Sequence, residues 1–113
     1  MKEATALDIL AALSQETRLR VVRYLVRRGD DGASAGEIGR HVEAASSRAS
    51  FHLSALEQAG AVTSERRSRQ IIYRAHFGNL GGLISYLLND CCDNHPDVRE
   101  CCGLENDCSR VQE

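Results

Sequence analysis

The chain has 113 residues, of which 42% are apolar and none is tryptophan, and its formal net charge at pH 7 is −2. This length allows one small domain with a single core, which a partner chain can complete. No apolar run is long enough to cross a bilayer, and the first residues lack the basic-then-apolar order of a signal peptide, so we expect a cytoplasmic protein without a membrane partner.

Two amphipathic helices are predicted in the first 28 residues. The first runs from Lys2 to Leu13, and its apolar stripe consists of Ala6, Leu7, Leu10 and Leu13. Ser14 is the predicted N-cap of the second helix, which ends near Arg28, just before two glycines and two aspartates. The predicted buried residues of the second helix are Leu19, Val22, Leu25 and Val26.

A short helix and a longer one follow, separated by a turn at residues 43–45. Ser34 and Glu37 have the spacing of a capping box, which predicts the start of the short helix. The longer helix is predicted to have Ser46 or Ser47 as its N-cap and to end at Gly60, since glycine tolerates the left-handed conformation of a helix C-terminus. Its predicted buried stripe consists of Ala49, Leu53 and Leu56. Two helices joined by so short a turn form a helix-turn-helix unit.

A β-hairpin is predicted directly after this unit. Residues 61–63 start one strand, residues 71–75 alternate along the other, and residues 67–69 make the tight connection. A helix with a polar start beside an arginine-tipped hairpin is typical of a winged helix-turn-helix, which places the helix in a DNA major groove and the hairpin against the backbone. The predicted DNA contacts are Ser47, Arg48, Ser50, Phe51 and His52 on the helix, with Arg66, Arg67 and Arg69 on the hairpin. The alternative is a solvated, charged surface. For two of these residues a further alternative is open: His52 as a hydrogen-bonded, half-buried side chain, and Phe51 as a packing residue.

The last predicted helix follows a break in the strand at residues 77–79 and reaches Asp90 or Cys92. Its apolar stripe consists of Leu80, Leu83, Ile84, Leu87 and Leu88. The core between the two terminal helices is too small to cover both of their apolar faces. We therefore expect a homodimer formed through these helices, with its two recognition helices one turn of DNA apart. The predicted fold is mainly α with a small β-hairpin.

Three stretches together resemble the ArsR/SmtB family of metal-responsive repressors over about residues 5–90: LSQETRLRVVRYL, AGEIGRHV and SSRASFHLSALEQAGAVTSERRSRQIIYR. The resemblance implies a dimeric winged helix that binds an inverted-repeat operator and is released by an inducer. It also implies that the first and last helices form the dimer interface. We interpret residues 1–90 as the DNA-binding and dimerisation domain, and residues 91–113 as a cysteine-rich acidic tail that holds the inducer site.

The tail combines negative charge with all five cysteines. Residues 1–89 carry a net charge of +3 and residues 90–113 a net charge of −5, so a basic surface for DNA remains. The Cys-x-Cys site of the best-known arsenic and cadmium sensors is absent from residues 37–41. The tail instead looks like the family's subset whose arsenite site is a vicinal cysteine pair plus a further C-terminal cysteine. The candidate ligands are Cys91 and Cys92 with either Cys101 or Cys102, and Cys108 is a spare.

Three thiolates suit trivalent arsenic, because this soft centre prefers sulfur to hard oxygen ligands. The expected inducer is arsenite, and methylated arsenite and antimonite stay open. Within the same fold, the thiols could instead hold zinc or cadmium, or respond to oxidants by forming a disulfide or persulfide. A small thiol oxidoreductase is an alternative of another class. It is disfavoured because the thiols would lie at a helix C-terminus among carboxylates, where thiolate formation is opposed. A metal-storage module is a third alternative, and it predicts ion binding without operator binding.

Overall fold

A computed structural model describes residues 1–103, and this part of the chain folds as six α-helices and one three-stranded antiparallel sheet. The helices are α1 (Glu3–Leu13), α2 (Glu16–Arg28), α3 (Ala35–Val42), α4 (Ser46–Ala59), α5 (Phe77–Ser85) and α6 (Pro96–Cys101). The strands are β1 (Ala33–Ser34), β2 (Val62–Arg67) and β3 (Gln70–Ala75). The predicted winged helix-turn-helix, mainly helical with a β-hairpin, is confirmed.

The first two helices bury only part of the faces that the sequence indicates: Ala6, Val22 and Leu25 are buried as predicted, but Leu7, Leu19 and Val26 are not. In α2, Leu19 and Val26 were predicted to be inside but are 48% and 43% exposed, whereas Val21 is fully buried. The buried face is rotated because α2 packs against α3, α4 and β3 at once. In α1, Ile9 joins two alanines in the core, and Leu7 remains 57% exposed. Both helices therefore keep apolar side chains on the protein surface.

The helix-turn-helix unit begins as predicted, but its second helix lacks the predicted cap. The Ser34 hydroxyl accepts a hydrogen bond from the Glu37 backbone N–H at 3.2 Å, and the Ser34 N–H donates to Glu37 Oε1 at 2.9 Å, which completes the capping box. The N-cap of α4 is Ala45, whose side chain cannot accept a hydrogen bond, so the prediction of Ser46 or Ser47 as N-cap is wrong. Gly60 ends α4 with a φ of +94°, as predicted.

The sheet contains one strand that the sequence does not reveal. The hairpin of β2 and β3 turns at Ser68 and Arg69, and β3 also pairs with β1, giving the order β1-β3-β2. β1 has two residues, too few for an alternating pattern, and only its long-range pairing with Ile72 and Tyr73 makes it a strand. This third strand ties the hairpin to the start of α3.

The last long helix begins where the sequence predicts a break. His76 Nδ1 accepts a hydrogen bond from the Asn79 backbone N–H at 3.0 Å, and this cap lets α5 start at Phe77. After Ser85 the helix continues as a π-helical segment, Tyr86–Cys91. We call α5 and this segment together the last long helix. Among the described residues, no helix is long and apolar enough to cross a membrane.

Two glycines between α2 and β1 provide a matched test of local packing. Gly29 and Gly32 have φ values of +59° and +63°, but a Cβ at position 29 meets nothing within 4 Å, whereas one at position 32 would lie 2.5 Å from the Tyr73 carbonyl oxygen. We expect Gly29→Ala to cost about 1–3 kcal/mol from backbone strain alone, because a φ of +59° with a ψ of −134° is sparsely populated by residues other than glycine. Gly32→Ala should cost a further ~1–3 kcal/mol from overpacking. Urea denaturation of both variants measures the difference, and equal losses would contradict the packing described here.

Candidate DNA-binding surface and thiol cluster

The early turns of α4 present the predicted polar and aromatic side chains to solvent. Ala49, Leu53 and Leu56 lie fully buried against the rest of the core. Four of the five predicted contact residues on this helix are exposed, and they are Ser47, Arg48, Ser50 and Phe51. Phe51 is 65% exposed, which is unusual for a large apolar side chain on a small domain. The helix therefore offers both polar and apolar groups to a ligand on this face.

The fifth residue, His52, lies inside the protein. It is only 7% exposed, and its Nδ1 accepts a hydrogen bond of 3.1 Å from Arg18 Nε. The expectation that His52 projects outward is therefore wrong. Burial lowers the pKa of His52 below its usual value near 6.5, and the positive charges of Arg18 and Arg48 lower this pKa further. His52 is consequently a neutral acceptor that holds Arg18.

Arg18 connects α2 to the outward face of α4. Its guanidinium carbon lies 5.7 Å from the centre of the Phe51 ring, in a cation–π contact, while its Nε is held by His52. The periodicity of α2 places Arg18 only among the exposed arginines of that helix and does not connect it with the recognition helix. Arg18 and His52 are 34 positions apart in the chain, and the periodicity of a single helix cannot predict a contact over that separation.

The hairpin of β2 and β3 forms the wing. Its three predicted contact residues, Arg66, Arg67 and Arg69, are all exposed. Arg67 Nε lies 3.8 Å from Glu65 Oε1, and the same carboxylate oxygen accepts a hydrogen bond of 2.8 Å from Arg74. Within residues 1–103, no carboxylate pairs with Arg66 or Arg69. These two side chains therefore leave uncompensated positive charge at the wing.

A groove joins the recognition helix, the wing and the start of α3. Its lining includes Ser50 from α4, Arg69 beside the hairpin turn and Arg40 from α3. Arg40 is exposed and was not among the predicted contact residues. Its position in the sequence, on the first helix of a helix-turn-helix unit, is the feature that could have drawn attention to it. The three side chains together form a polar, cationic strip.

The cysteines lie at the end of the last long helix and on α6. Cys91 is exposed, Cys92 is half-buried, and Cys101 and Cys102 are exposed. A hydrogen bond with the Cys91 thiol raises the pKa of Cys92, and burial and the charges that Cys91 and Cys102 acquire on ionisation raise this pKa further. Cys92 and Cys102 also line the same small cavity, whose lining does not include Cys101. Cys108 lies outside the described residues.

An irregular helix end allows α6 to return toward the vicinal pair. The Cys92 backbone N–H donates to the Leu87 carbonyl at 3.0 Å, and Asp93 and Asn94 both have positive φ values, which reverse the chain. His95 then caps α6 by accepting a hydrogen bond from the Asp97 N–H at 3.1 Å. The end of this helix therefore departs from a regular α-helix as a π-helical segment followed by this reversal.

The thiols are suitable ligands for a soft ion, but they are not arranged as a complete binding site before the ion binds. In residues 1–103, no three histidine, cysteine, aspartate or glutamate side chains are arranged to hold a metal ion as they stand. Thiol sulfur is the ligand that soft, thiophilic centres prefer. Binding of such a centre would therefore require Cys91, Cys92 and Cys102 to draw together.

Comparison with known proteins gives consistent matches. Residues 13–65 match a family described as a helix-turn-helix domain. The HTH-type transcriptional regulator YgaV of Escherichia coli K12 is 31% identical over 87 residues, which are 77% of this chain and 86% of YgaV. An ArsR-like transcriptional regulator from Rhodococcus sp. RHA1 is 28% identical with a TM-score of 0.70, covering 88% of this chain and 89% of that one. The structure of a possible transcriptional regulator for arsenical resistance is also 28% identical, with a TM-score of 0.58, covering 77% and 91%.

The buried histidine predicts how stability depends on pH. Because the pKa of His52 is lower in the folded state than in the unfolded state, the unfolded state binds more protons below about pH 6.5. The stability gained from neutral His52 is therefore complete above that pH and is lost as the pH falls. We expect His52→Asn, which keeps a hydrogen-bond acceptor for Arg18 but cannot titrate, to lose less stability than the wild type between pH 7.5 and pH 5. Urea unfolding at both pH values measures this, and parallel losses would contradict the assignment.

Proposed function

The chain belongs to the ArsR family of helix-turn-helix transcriptional regulators, and we propose that it is a homodimeric repressor that leaves its operator when trivalent arsenic binds its C-terminal thiols. The observation that carries the arsenic assignment is that Cys92 and Cys102 line the same cavity at the end of the last long helix, and that Cys91 is the chain neighbour of Cys92. One structural relative, described as a possible regulator for arsenical resistance, supports the same class of inducer.

The DNA-binding mode is supported by the uncapped start of α4. The backbone N–H groups of the first turn of a helix have no partners within the helix, and the N-cap residue Ala45 offers no side-chain acceptor. A helix N-terminus in this state attracts anions through its N–H groups and its dipole. We propose that an operator phosphate caps α4, with Ser47 beside it, while Arg48 and Ser50 reach base edges.

The homodimer is supported by apolar side chains that the single chain leaves uncovered. On α1, Leu7 and Leu10 are exposed, and on α5, Phe77 and Ile84 are exposed, the last of these by 61%. These residues belong to the two terminal helices. A two-fold pairing would remove them from water and set the spacing of the two recognition helices.

We propose that arsenic binding at the thiols acts on α4 through the last long helix. Arsenite, As(OH)3, would exchange its three hydroxyls for three thiols, releasing three waters with no change in oxidation state. Drawing Cys102 toward the vicinal pair would strain the π-helical segment. The first turn of the same helix contains Asn79, whose Nδ2 donates to the carbonyl of Gly60 at the end of α4. Coupling free energies between two sites are usually about 1–3 kcal/mol, or about 5–150-fold in affinity.

A thiol-oxidation response is a second candidate function, favoured by the proximity of Cys92 to Cys91 and Cys102. A disulfide between Cys92 and Cys102 would also tie α6 to the last helix. Against this, the raised pKa of Cys92 leaves less of the reactive thiolate at neutral pH, which slows thiol oxidation and disulfide exchange. Binding of trivalent arsenic is therefore the better-supported function.

The wing arginines predict a salt-dependent contribution to operator affinity. We expect Arg69→Ala to weaken binding and to reduce the slope of log affinity against log salt by about one unit for each phosphate that the variant no longer neutralises. Arg23→Ala is the matched control, because Arg23 is also an exposed arginine but lies on α2. Fluorescence anisotropy with operator DNA at several salt concentrations measures both slopes. An unchanged slope of log affinity against log salt for Arg69→Ala would contradict the assignment of the wing to the DNA interface.

The thiol geometry predicts which cysteine completes the arsenite site. Cys102→Ser should abolish release from operator DNA by arsenite, whereas Cys101→Ser should release like the wild type, because the interactions at Cys92 involve Cys102. Anisotropy of the DNA complex titrated with arsenite measures release, and operator binding without arsenite confirms that each variant is folded. Loss of release in Cys101→Ser with retention in Cys102→Ser would contradict the assignment.

A further inference from the structure

The most exposed large apolar side chain of residues 1–103 lies on α4. This residue is Phe51, at 65% exposure, and it follows Ser47 by one helical turn, so the two side chains share the outward face of the helix. Ala49 and Leu53 occupy the buried face. A phenyl ring that stays in water forgoes the free energy of burial. A ligand with an apolar group that covers this ring would therefore gain affinity.

Two neighbouring side chains fix the position of the Phe51 ring. The guanidinium carbon of Arg18 lies 5.7 Å from the ring centre, and the His52 ring approaches edge-on with a distance of 5.7 Å between ring centres. Arg18 is itself held by the hydrogen bond of 3.1 Å from its Nε to His52 Nδ1. A ring that is already ordered loses less side-chain entropy when a ligand covers it. Phe51 is thus prepared for an apolar contact on the outward face.

DNA offers one apolar group that suits a phenyl ring at this position. A recognition helix lies in the major groove with its N-terminal residues against the base edges. The base edges in this groove present hydrogen-bond donors and acceptors, together with the C5-methyl group of thymine, which contacts apolar side chains such as phenylalanine. The phosphates carry negative charge and do not cover an apolar ring favourably. The thymine methyl is therefore the group that matches Phe51.

We infer that Phe51 reads a thymine in each half of the operator by contacting its C5-methyl group, and that Arg18 is the positioning residue that holds the ring for this contact. This inference rests on the proposed function, because it concerns the same DNA-binding surface, and it adds a base preference. Arg48 and Ser50 can read base edges by hydrogen bonds, whereas the Phe51 side chain has no polar atom. Thymine and uracil differ only in this methyl group, so the protein should distinguish them.

Replacing thymine by uracil removes the methyl group and keeps the same hydrogen-bonding atoms. DNA from upstream of the gene is prepared with thymine or with uracil throughout, and fluorescence anisotropy with the reduced full-length protein gives both affinities. Burial of one methyl group is worth about fourfold in affinity, and two half-sites give about fifteenfold. We expect the wild type to prefer thymine DNA by about this factor and Phe51→Ala to lose the preference. Single uracil substitutions then locate the thymine in each half-site.

A matched control and a second variant test the two roles separately. Val26→Ala removes an exposed apolar side chain from α2 and should keep the thymine preference. Arg18→Gln keeps an N–H donor for His52 but removes the charge that attracts the ring, and we expect it to lower the preference at least about twofold. A lost phosphate contact would instead weaken both DNA forms equally. Arg23→Gln, the same change at an exposed arginine of α2, should leave the preference unchanged.

The outcomes separate this inference from the proposed function. If the wild type binds both DNA forms equally, or if Phe51→Ala keeps the wild-type preference, the inference is wrong and the repressor assignment stands. An unchanged preference in Arg18→Gln would contradict the positioning role of Arg18. If the thymine preference is as expected but arsenite does not release the DNA, the inference stands and the inducer assignment fails. If the protein binds neither DNA form, both the proposed function and the inference are wrong.

Discussion

The hydrogen bond from Asn79 to the Gly60 carbonyl joins the two parts of this protein to which we assign a function. It has a length of 2.9 Å and connects the end of the recognition helix to the start of the helix whose far end carries the thiols. Gly60 adopts a positive φ there, and a Cβ at this position would lie 2.9 Å from Asn79 Nδ2. In the proposed response, a displacement of the last long helix would reach α4 through this close approach.

The recognition surface depends on a buried neutral group. His52 donates no charge to DNA, but it fixes Arg18 beside Phe51, so a side chain from α2 contributes to the outward face of α4. A hydrogen bond made to a neutral imidazole leaves the arginine charge uncompensated, whereas a carboxylate partner would neutralise it. The uncapped α4 N-terminus and the two wing arginines without carboxylate partners in the described residues complete a surface suited to phosphate.

Local sequence patterns predict the helices and the hairpin of this fold. The features that these patterns do not predict depend on contacts between distant parts of the chain. The capping box at Ser34 and the terminator Gly60 follow from residues within one helical turn, and the structure confirms both. The orientation of His52 and the two-residue strand β1 depend on contacts with distant parts of the chain. Which of Cys101 and Cys102 lies on the side of Cys92 depends on how α6 returns after the chain reversal before Pro96.

The most direct test of the central claim is fluorescence anisotropy of the reduced protein on DNA from upstream of its own gene, titrated separately with arsenite, zinc, cadmium and peroxide. The account predicts that the protein binds this DNA and that arsenite releases it at concentrations at which the other three have no effect. Release by peroxide, zinc or cadmium but not by arsenite would contradict the inducer assignment. Failure to bind the DNA in any condition would contradict the proposed repressor function.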